Sequence, residues 1–107
     1  MLTSTNKVKD YKVKIIKFPR IAKDESVVEG IITDLNGNPL PNQRCYVWAR
    51  LVDNSGRVVT DWTIKGVGNS DDKGRFSIKV YDFIEVYPYP SHYEITVTKG
   101  RDRRPSE

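Results

Sequence analysis

The sequence predicts an all-β protein, an antiparallel β-sandwich of six or seven strands. Apolar and polar residues alternate with a period of two in several short segments, and clusters of Gly, Asn, Asp and Pro separate these segments. No segment shows the apolar period of a helix. Short alternating strands spaced by turn signals are typical of sandwiches.

The chain has 107 residues, of which 37% are hydrophobic and 30% are charged. This length and balance suit one folded domain. We expect a polar leader over residues 1–7, the sandwich over residues 8–99 and a basic polar tail over residues 100–107. The start of the sequence lacks the apolar core of a signal peptide, and no window is apolar enough to span a membrane. We therefore expect a cytoplasmic or virion protein with no signal peptide and no transmembrane segment.

The first predicted strand changes its apolar phase part of the way along. Tyr11, Val13 and Ile15 alternate with lysines, but Phe18 then shares the parity of Ile16. A β-bulge or a switch between sheets would explain this change.

The stretch from Val28 to Cys45 is predicted to form a hairpin: a strand, a tight turn and a second strand. Gly30 interrupts the alternation of the first strand, which indicates a close backbone approach or a bend. Asn36 and Gly37 can supply the positive φ angles of a tight turn.

A second hairpin is predicted from the strand Gln43–Val52, the turn signal at Asp53–Gly56 and the strand Val58–Lys65. Alternation divides the first of these strands into two faces. The residues predicted to face the core are Cys45, Val47, Ala49 and Leu51.

Residues 66–74 are rich in Gly, Asn and Asp, and we predict a polar loop there. The strand that follows is expected to bury Phe76 and Ile78. Alternating apolar residues at 93, 95 and 97 predict the last strand, and a short strand near residues 83–86 would be the seventh.

Two elements carry a family resemblance. One is Gly30–Asn42, reading Gly-Ile-Ile-Thr-Asp-Leu-Asn-Gly-Asn-Pro-Leu-Pro-Asn, and the other is Asp71–Ile78, reading Asp-Asp-Lys-Gly-Arg-Phe-Ser-Ile. Together with Tyr93–Val97 as a closing strand, they resemble the carboxypeptidase regulatory-like domain, a transthyretin-like sandwich. Invasin-type bacterial immunoglobulin-like domains carry a similar first element. Gln43 departs from the small residue of the family. The resemblance implies an immunoglobulin-like sandwich that serves structure, tethering or recognition, and it carries over no catalytic residue.

Side chains suited to catalysis are sparse. Ser91 and His92 are adjacent, and neighbours on an extended chain point to opposite faces, so they make a poor nucleophile and base. Cys45 falls on the core face, where a thiol behaves as a small hydrophobic group. Asp71 and Asp72 do not have the spacing of an EF-hand loop, and we interpret them as part of a solvated turn.

A glycosidase-like pair of carboxylates stays open from the sequence alone, although a small sandwich offers little cleft for one. We predict a protein that is not an enzyme and that binds no cofactor and no metal. The carboxylates that could converge in space are Asp34, Asp61, Asp82 and Glu85.

The strongest candidate for binding is the alternate face of strand Gln43–Val52. Tyr46 and Trp48 lie there between Arg44 and Arg50, and these residue types are enriched at binding hot spots. Two alternatives stay open: a partner covers this face, or the chain's own segments do. The tail would add further contact residues, namely Arg101, Arg103 and Arg104.

We therefore predict a structural or protein-binding subunit of a larger assembly, for example an accessory or decoration protein of a viral particle, a filament or a multi-chain complex. Its partners would be other protein chains, in an oligomer or a hetero-complex, and not a membrane.

One alternative is a single-stranded nucleic-acid-binding module, in which the strand Tyr46–Arg50 forms a platform with Lys12 and Lys14. Against it, the basic residues are not concentrated on one set of predicted strands. A carbohydrate-binding module is a weaker alternative, because sandwiches often present aromatic residues to sugars.

Overall fold

The computed structural model of the chain describes residues 10–17, 27–81 and 91–100, and all regular structure in these ranges is β-strand. The prediction of an all-β fold is confirmed to this extent. The predicted leader, the predicted seventh strand and the predicted tail beyond Gly100 lie outside the described residues. The strands are β1 (Tyr11–Lys17), β2 (Val27–Asp34), β3 (Arg44–Asp53), β4 (Thr63–Asn69), β5 (Arg75–Lys79) and β6 (Ser91–Lys99).

The six strands form two antiparallel sheets. Sheet A has the order β1-β2-β5, and sheet B has the order β4-β3-β6. The sheets share one core, so the architecture is consistent with a β-sandwich and the two outer faces point away from each other. The fully packed core side chains are Val28, Ile32, Cys45, Val47, Phe76, Ile78, Val80 and Val97.

Hydrogen bonds from backbone N–H groups tie the two sheets together at both sides of the core. On the side of β4 and β5, the Tyr81 N–H donates to the Lys65 carbonyl oxygen at 3.0 Å. On the side of β1 and β6, the Lys99 N–H donates to the Tyr11 hydroxyl oxygen at 3.1 Å. These bonds fix how one sheet sits on the other, which apolar packing alone does not specify.

The phase change in β1 is a β-bulge, as one of the two sequence interpretations proposed. Ile15 lies opposite Gly30, whereas Lys17 lies opposite Glu29, so Ile16 is the extra residue. Ile16 is 61% exposed. The bulge moves Lys17 from the core parity of β1 to its outer face.

The predicted hairpin from Val28 to Cys45 is wrong, because its two strands belong to different sheets. The tight turn does form, and the Leu40 N–H then donates back to the Ile32 carbonyl oxygen at 3.1 Å. Beyond Leu40 the chain crosses to sheet B, with Asn42 in the left-handed region at φ 56°. Local turn signals do not distinguish a hairpin from a crossover.

Ser70 is a buried polar residue that holds this crossover in place. Its hydroxyl donates to the Leu40 carbonyl oxygen at 2.6 Å and accepts from the Gln43 N–H at 2.9 Å. Its backbone carbonyl accepts from the Asn42 N–H at 3.1 Å, and its own N–H donates to the Gln43 carbonyl at 2.9 Å. The crossover is therefore pinned to the connection between β4 and β5.

The predicted pairing of β3 with the following strand is confirmed, but the position of that strand is wrong. Val58 makes only an isolated bridge, to Val52, and β4 begins at Thr63. The strand continues to Asn69, through a segment predicted to be a loop.

Close packing against β5 explains why glycines occupy β4. A Cβ on Gly66 would lie 2.5 Å from the Lys79 carbonyl oxygen, and one on Gly68 would lie 2.8 Å from Ile78 Cγ1. Both distances are shorter than a carbon atom tolerates. Glycine occupies these positions because β5 lies too close to β4 to leave room for a side chain.

Replacing Ser70 with Ala should lower the free energy of unfolding by about 1–3 kcal/mol, because the Leu40 carbonyl and the Gln43 N–H lose a partner in a buried place. Urea unfolding of the purified chain measures this change. Ser77→Ala, on the exposed face of β5, is the matched control and should change stability by less than about 0.5 kcal/mol. Equal effects of the two substitutions would contradict the role given to Ser70.

Candidate functional site

Three turns share the sequence Asp-x-x-Gly-x at nearly equal intervals, a repeat that the sequence analysis missed. They span residues 34–38, 53–57 and 71–75. In each, the glycine N–H donates to the aspartate carbonyl, and the aspartate N–H donates to the carbonyl after the glycine. The glycines have φ values of 92°, 88° and 75°. This arrangement is typical of a tight turn closed by a glycine bulge.

The aspartate of each turn uses its carboxylate as a local cap. One carboxylate oxygen of Asp34, Asp53 and Asp71 accepts two backbone N–H groups at 2.8–2.9 Å.

Hydrogen bonding lowers the pKa of all three carboxyl groups. The largest cause is the backbone N–H of Asn38 for Asp34, the Ser55 hydroxyl for Asp53 and the backbone N–H of Arg75 for Asp71. A general acid needs its pKa raised, so these shifts have the opposite direction.

Cys45 and His92 lie at opposite ends of the paired strands β3 and β6, and Asp82 and Glu85 lie outside the described residues. Cys45 is buried in the core, and burial raises the pKa of its thiol to about 11, so the thiol stays protonated at neutral pH. His92 is exposed near the start of β6. Among the described residues, no three His, Cys, Asp or Glu side chains come close enough to hold a metal ion. No helix in the described ranges is long and apolar enough to cross a membrane.

Trp48, predicted to lie on the outer face of β3, is covered in the structure and is only 6% exposed. Its indole N–H donates to the Thr98 hydroxyl oxygen at 2.7 Å, and Thr98 is itself buried. The Thr98 hydroxyl in turn donates to the Gly100 carbonyl oxygen at 3.2 Å. Of the two alternatives left open by the sequence, coverage by the protein itself holds for this ring.

Arg50, a second residue of the predicted contact face, is engaged within the chain. Its Nε atom lies 2.8 Å from Glu94 Oε1, and its guanidinium lies over the Trp62 ring at 4.6 Å from the centroid. Alternation could not reveal these partners, because it gives the face of a residue and not its register with a neighbouring strand. Arg50 therefore organises the sheet surface and is only partly available for a partner.

Arg44 and Tyr46 remain accessible on sheet B, with Arg44 exposed and Tyr46 half-buried. Tyr46 lies directly opposite Val67 of β4, which is 41% exposed. We call Arg44, Tyr46 and Val67 the Tyr46 patch. The predicted tail residues Arg101, Arg103 and Arg104 lie outside the described residues.

The expected platform of Lys12 and Lys14 with strand Tyr46–Arg50 does not form, because these lysines belong to the other sheet. The described strands do spread their basic residues over both sheets, as the sequence indicated, because sheet B carries Arg44, Arg50, Lys65 and Lys99. The outer face of sheet A collects exposed cations, which we call the basic face: Lys12, Lys14, Lys17, Arg75 and Lys79.

No protein-family model, curated protein or solved structure matches this chain. The resemblance to the carboxypeptidase regulatory-like domain therefore stays a prediction.

Replacing Thr98 with Val should lower the free energy of unfolding by about 1–3 kcal/mol, since the buried Trp48 N–H loses its acceptor. Thr96 lies directly opposite Trp48, and its hydroxyl makes no hydrogen bond with the described part of the chain. Thr96→Val is therefore the control, with an expected change below about 0.5 kcal/mol. Urea unfolding followed by tryptophan fluorescence compares the two. If Thr98→Val is as stable as the wild type, the Thr98 hydroxyl does not stabilise the protein as the acceptor of the Trp48 N–H.

The capped aspartates should make the protein less stable in acid. Each has a folded pKa below its unfolded value of about 3.9, so the folded state binds fewer protons. The stabilisation is fully present above that pH and is lost as the pH falls through the lowered pKa values.

The triple variant Asp34→Asn, Asp53→Asn and Asp71→Asn should therefore show a shallower fall of the urea midpoint between pH 5 and about pH 2 than the wild type. Asp72→Asn is the control, because Asp72 makes no hydrogen bond with any described residue. A wild-type pH profile in the triple variant would show that the three capping carboxylates do not contribute to the pH dependence of stability.

Proposed function

We propose that this chain is a non-enzymatic structural or protein-binding subunit of a larger assembly, built on an immunoglobulin-like sandwich. An accessory or decoration protein of a particle, filament or multi-chain complex fits this description. The Tyr46 patch is the observation that carries the proposal.

The composition and position of the Tyr46 patch support a protein partner. Tyr and Arg are enriched in the cores of protein interfaces, and an exposed aliphatic side chain beside them adds apolar surface to bury. Tyr46 and Val67 face each other across β3 and β4, where directly opposed Cβ atoms are about 4.5–5.5 Å apart. The buried Trp48 continues the outer face of β3 and is held by Thr98, so the patch rests on a fixed base.

The strand order supports the immunoglobulin-like part of the proposal. In such domains strands A, B and E share one sheet, and strand C lies between F and an added C′ strand in the other. Taken in chain order, β1, β2, β3, β4, β5 and β6 correspond to A, B, C, C′, E and F. Strands D and G have no counterpart among the described residues.

The use of the titratable groups supports a role without catalysis. Asp34, Asp53 and Asp71 cap turns with lowered pKa values, and the Cys45 thiol is kept protonated by burial. Each of these groups has a structural task. The base-stacking and sugar-binding alternatives gain less support, because the Trp48 ring is not presented to solvent.

Affinity capture from the native source, with the full chain as bait and after nuclease digestion, tests the proposal. The wild type should retain a defined protein at fixed stoichiometry, and Val67→Gln should lose most of it because a polar side chain weakens the apolar contact. Val58→Gln is the matched control, since Val58 is 45% exposed and lies away from the patch. Retention of the same protein by Val67→Gln, or its loss on nuclease digestion, would contradict the proposal.

A further inference from the structure

The basic face is a regular array of cations on sheet A. Along β1, Lys12, Lys14 and Lys17 lie opposite Thr33, Ile31 and Glu29 of β2. Successive positions on one face of a strand are about 6.7 Å apart, and the bulge at Ile16 keeps Lys17 in this row. Without the bulge, Lys17 would follow the inward parity of Ile15.

A second row of cations runs along β5. Arg75 lies opposite Ile31, and Lys79 lies opposite Val27, both on the same outer face. Because β2 separates β1 from β5, the two rows are two strand spacings apart, or roughly 10 Å. Half-buried side chains of β2 form a low floor between them, and Glu29 is the one carboxylate on this floor.

None of the cations of the basic face forms an ion pair with a described residue, and the charge of Arg75 acts at longer range on Asp71, whose pKa it helps to lower. The ion pairs of the described residues involve Arg50 with Glu94 and Lys99 with Asp10, which lie elsewhere. Five exposed positive charges outnumber the carboxylates beside them, Glu29 between the rows and Asp71 near Arg75, and create a field that attracts a polyanion. We therefore expect this face to attract an anionic partner more strongly than a surface of mixed charge would.

The kind of cation decides between an acidic protein and a nucleic acid. Lysine is depleted in protein interfaces, where arginine is preferred, and four of these five cations are lysines. Lysine acts as a strongly hydrated point charge, which suits phosphate contacts that do not read sequence.

Two features favour a duplex over a single strand. None of the outward-facing residues within β1, β2 and β5 is aromatic, and the exposed Tyr81 lies beyond the end of β5, so unpaired bases find no row of rings to stack on. A duplex presents rows of phosphates on both sides of a groove. The two rows of cations are roughly 10 Å apart, between the widths of about 6 Å and about 12 Å of the minor and major grooves, so long lysine and arginine side chains can reach phosphates on both sides.

We propose that the basic face binds the phosphate backbone of double-stranded nucleic acid without reading its sequence. This function is separate from the Tyr46 patch and uses the opposite outer face of the molecule. It would let one subunit hold a protein assembly on one side and a nucleic acid on the other.

Fluorescence anisotropy with a labelled DNA duplex of mixed sequence, from 50 to 200 mM salt, tests this proposal on the full chain. Four or five phosphate contacts predict a slope of log affinity against log salt between about −3.6 and −4.5. Lys14→Gln with Arg75→Gln should reduce the magnitude of this slope by about 2 and weaken binding at 50 mM salt.

The control is Arg44→Gln with Arg57→Gln, which removes the same charge from exposed positions outside the basic face. It should leave the slope unchanged. Val67→Gln, which tests the Tyr46 patch, should also leave the slope unchanged, so failure of the protein-binding proposal is distinguishable from failure of the nucleic-acid proposal. Glu29→Gln should tighten binding, because it removes the carboxylate from the face. Circular dichroism confirms that each variant is folded.

Several outcomes would overturn the proposal. Equal weakening by the two double variants would show an effect of net charge alone. Equal or tighter binding of a single strand of the same length would show that the basic face does not prefer a duplex. Equal competition by polyglutamate, or equal binding to phosphatidylserine vesicles, would show that duplex phosphates are not the partner.

Discussion

The structure depends on the burial of one face of each sheet against the other in a single core. Once Ile32 and Phe76 of sheet A pack with Val47 and Val97 of sheet B, each strand has one inward and one outward set of side chains. The inward set must fit a tightly packed interior, which is why Gly66 stands where β5 comes closest. The outward sets are free of this constraint and can specialise in different ways on the two sheets.

Apolar burial fixes which face of each strand is inward, but a slip by two residues preserves that face, and paired polar groups help to exclude such slips. Ser70 fixes the crossover, and the Trp48 indole is fixed by Thr98. Among the described residues, no buried side-chain nitrogen or oxygen is left without a partner. A buried polar group without a partner costs about 1–3 kcal/mol, so an arrangement that breaks these pairs competes poorly with the native one.

Alternation in the sequence was enough to predict what depends on one strand alone. It identified the core residues of β3, the inward positions of β5 and the phase change in β1, for which a bulge was one of two interpretations. It failed where the answer depends on two strands. The glycines of β4 are typical of a loop in the sequence, and only their contact with Ile78 of β5 explains why they lie in a strand. The turn at Asp34 is typical of a hairpin, and only the hydrogen bond from Ser70 to the crossover explains why the chain continues to the other sheet.

The candidate surfaces were predictable only in part, for the same reason. Alternation placed Trp48 on the outer side of β3 but could not show that Thr98 and the surrounding surface cover it. Lys14 and Arg75 are far apart in the sequence and come together only because both β1 and β5 pair with β2. The electrostatic character of sheet A is therefore a property of topology, and composition shows only a modest excess of positive charge.

We infer a domain without catalytic chemistry that offers two separate binding surfaces on opposite sides of one core. Amide NMR mapping of the isotope-labelled full chain, titrated with duplex DNA at low salt, tests this claim most directly. We expect chemical-shift changes concentrated on β1, β2 and β5 around Ile31, with the amides of Tyr46 and Val67 unchanged. Changes centred on Tyr46 and Val67, or spread equally over both sheets, would contradict it.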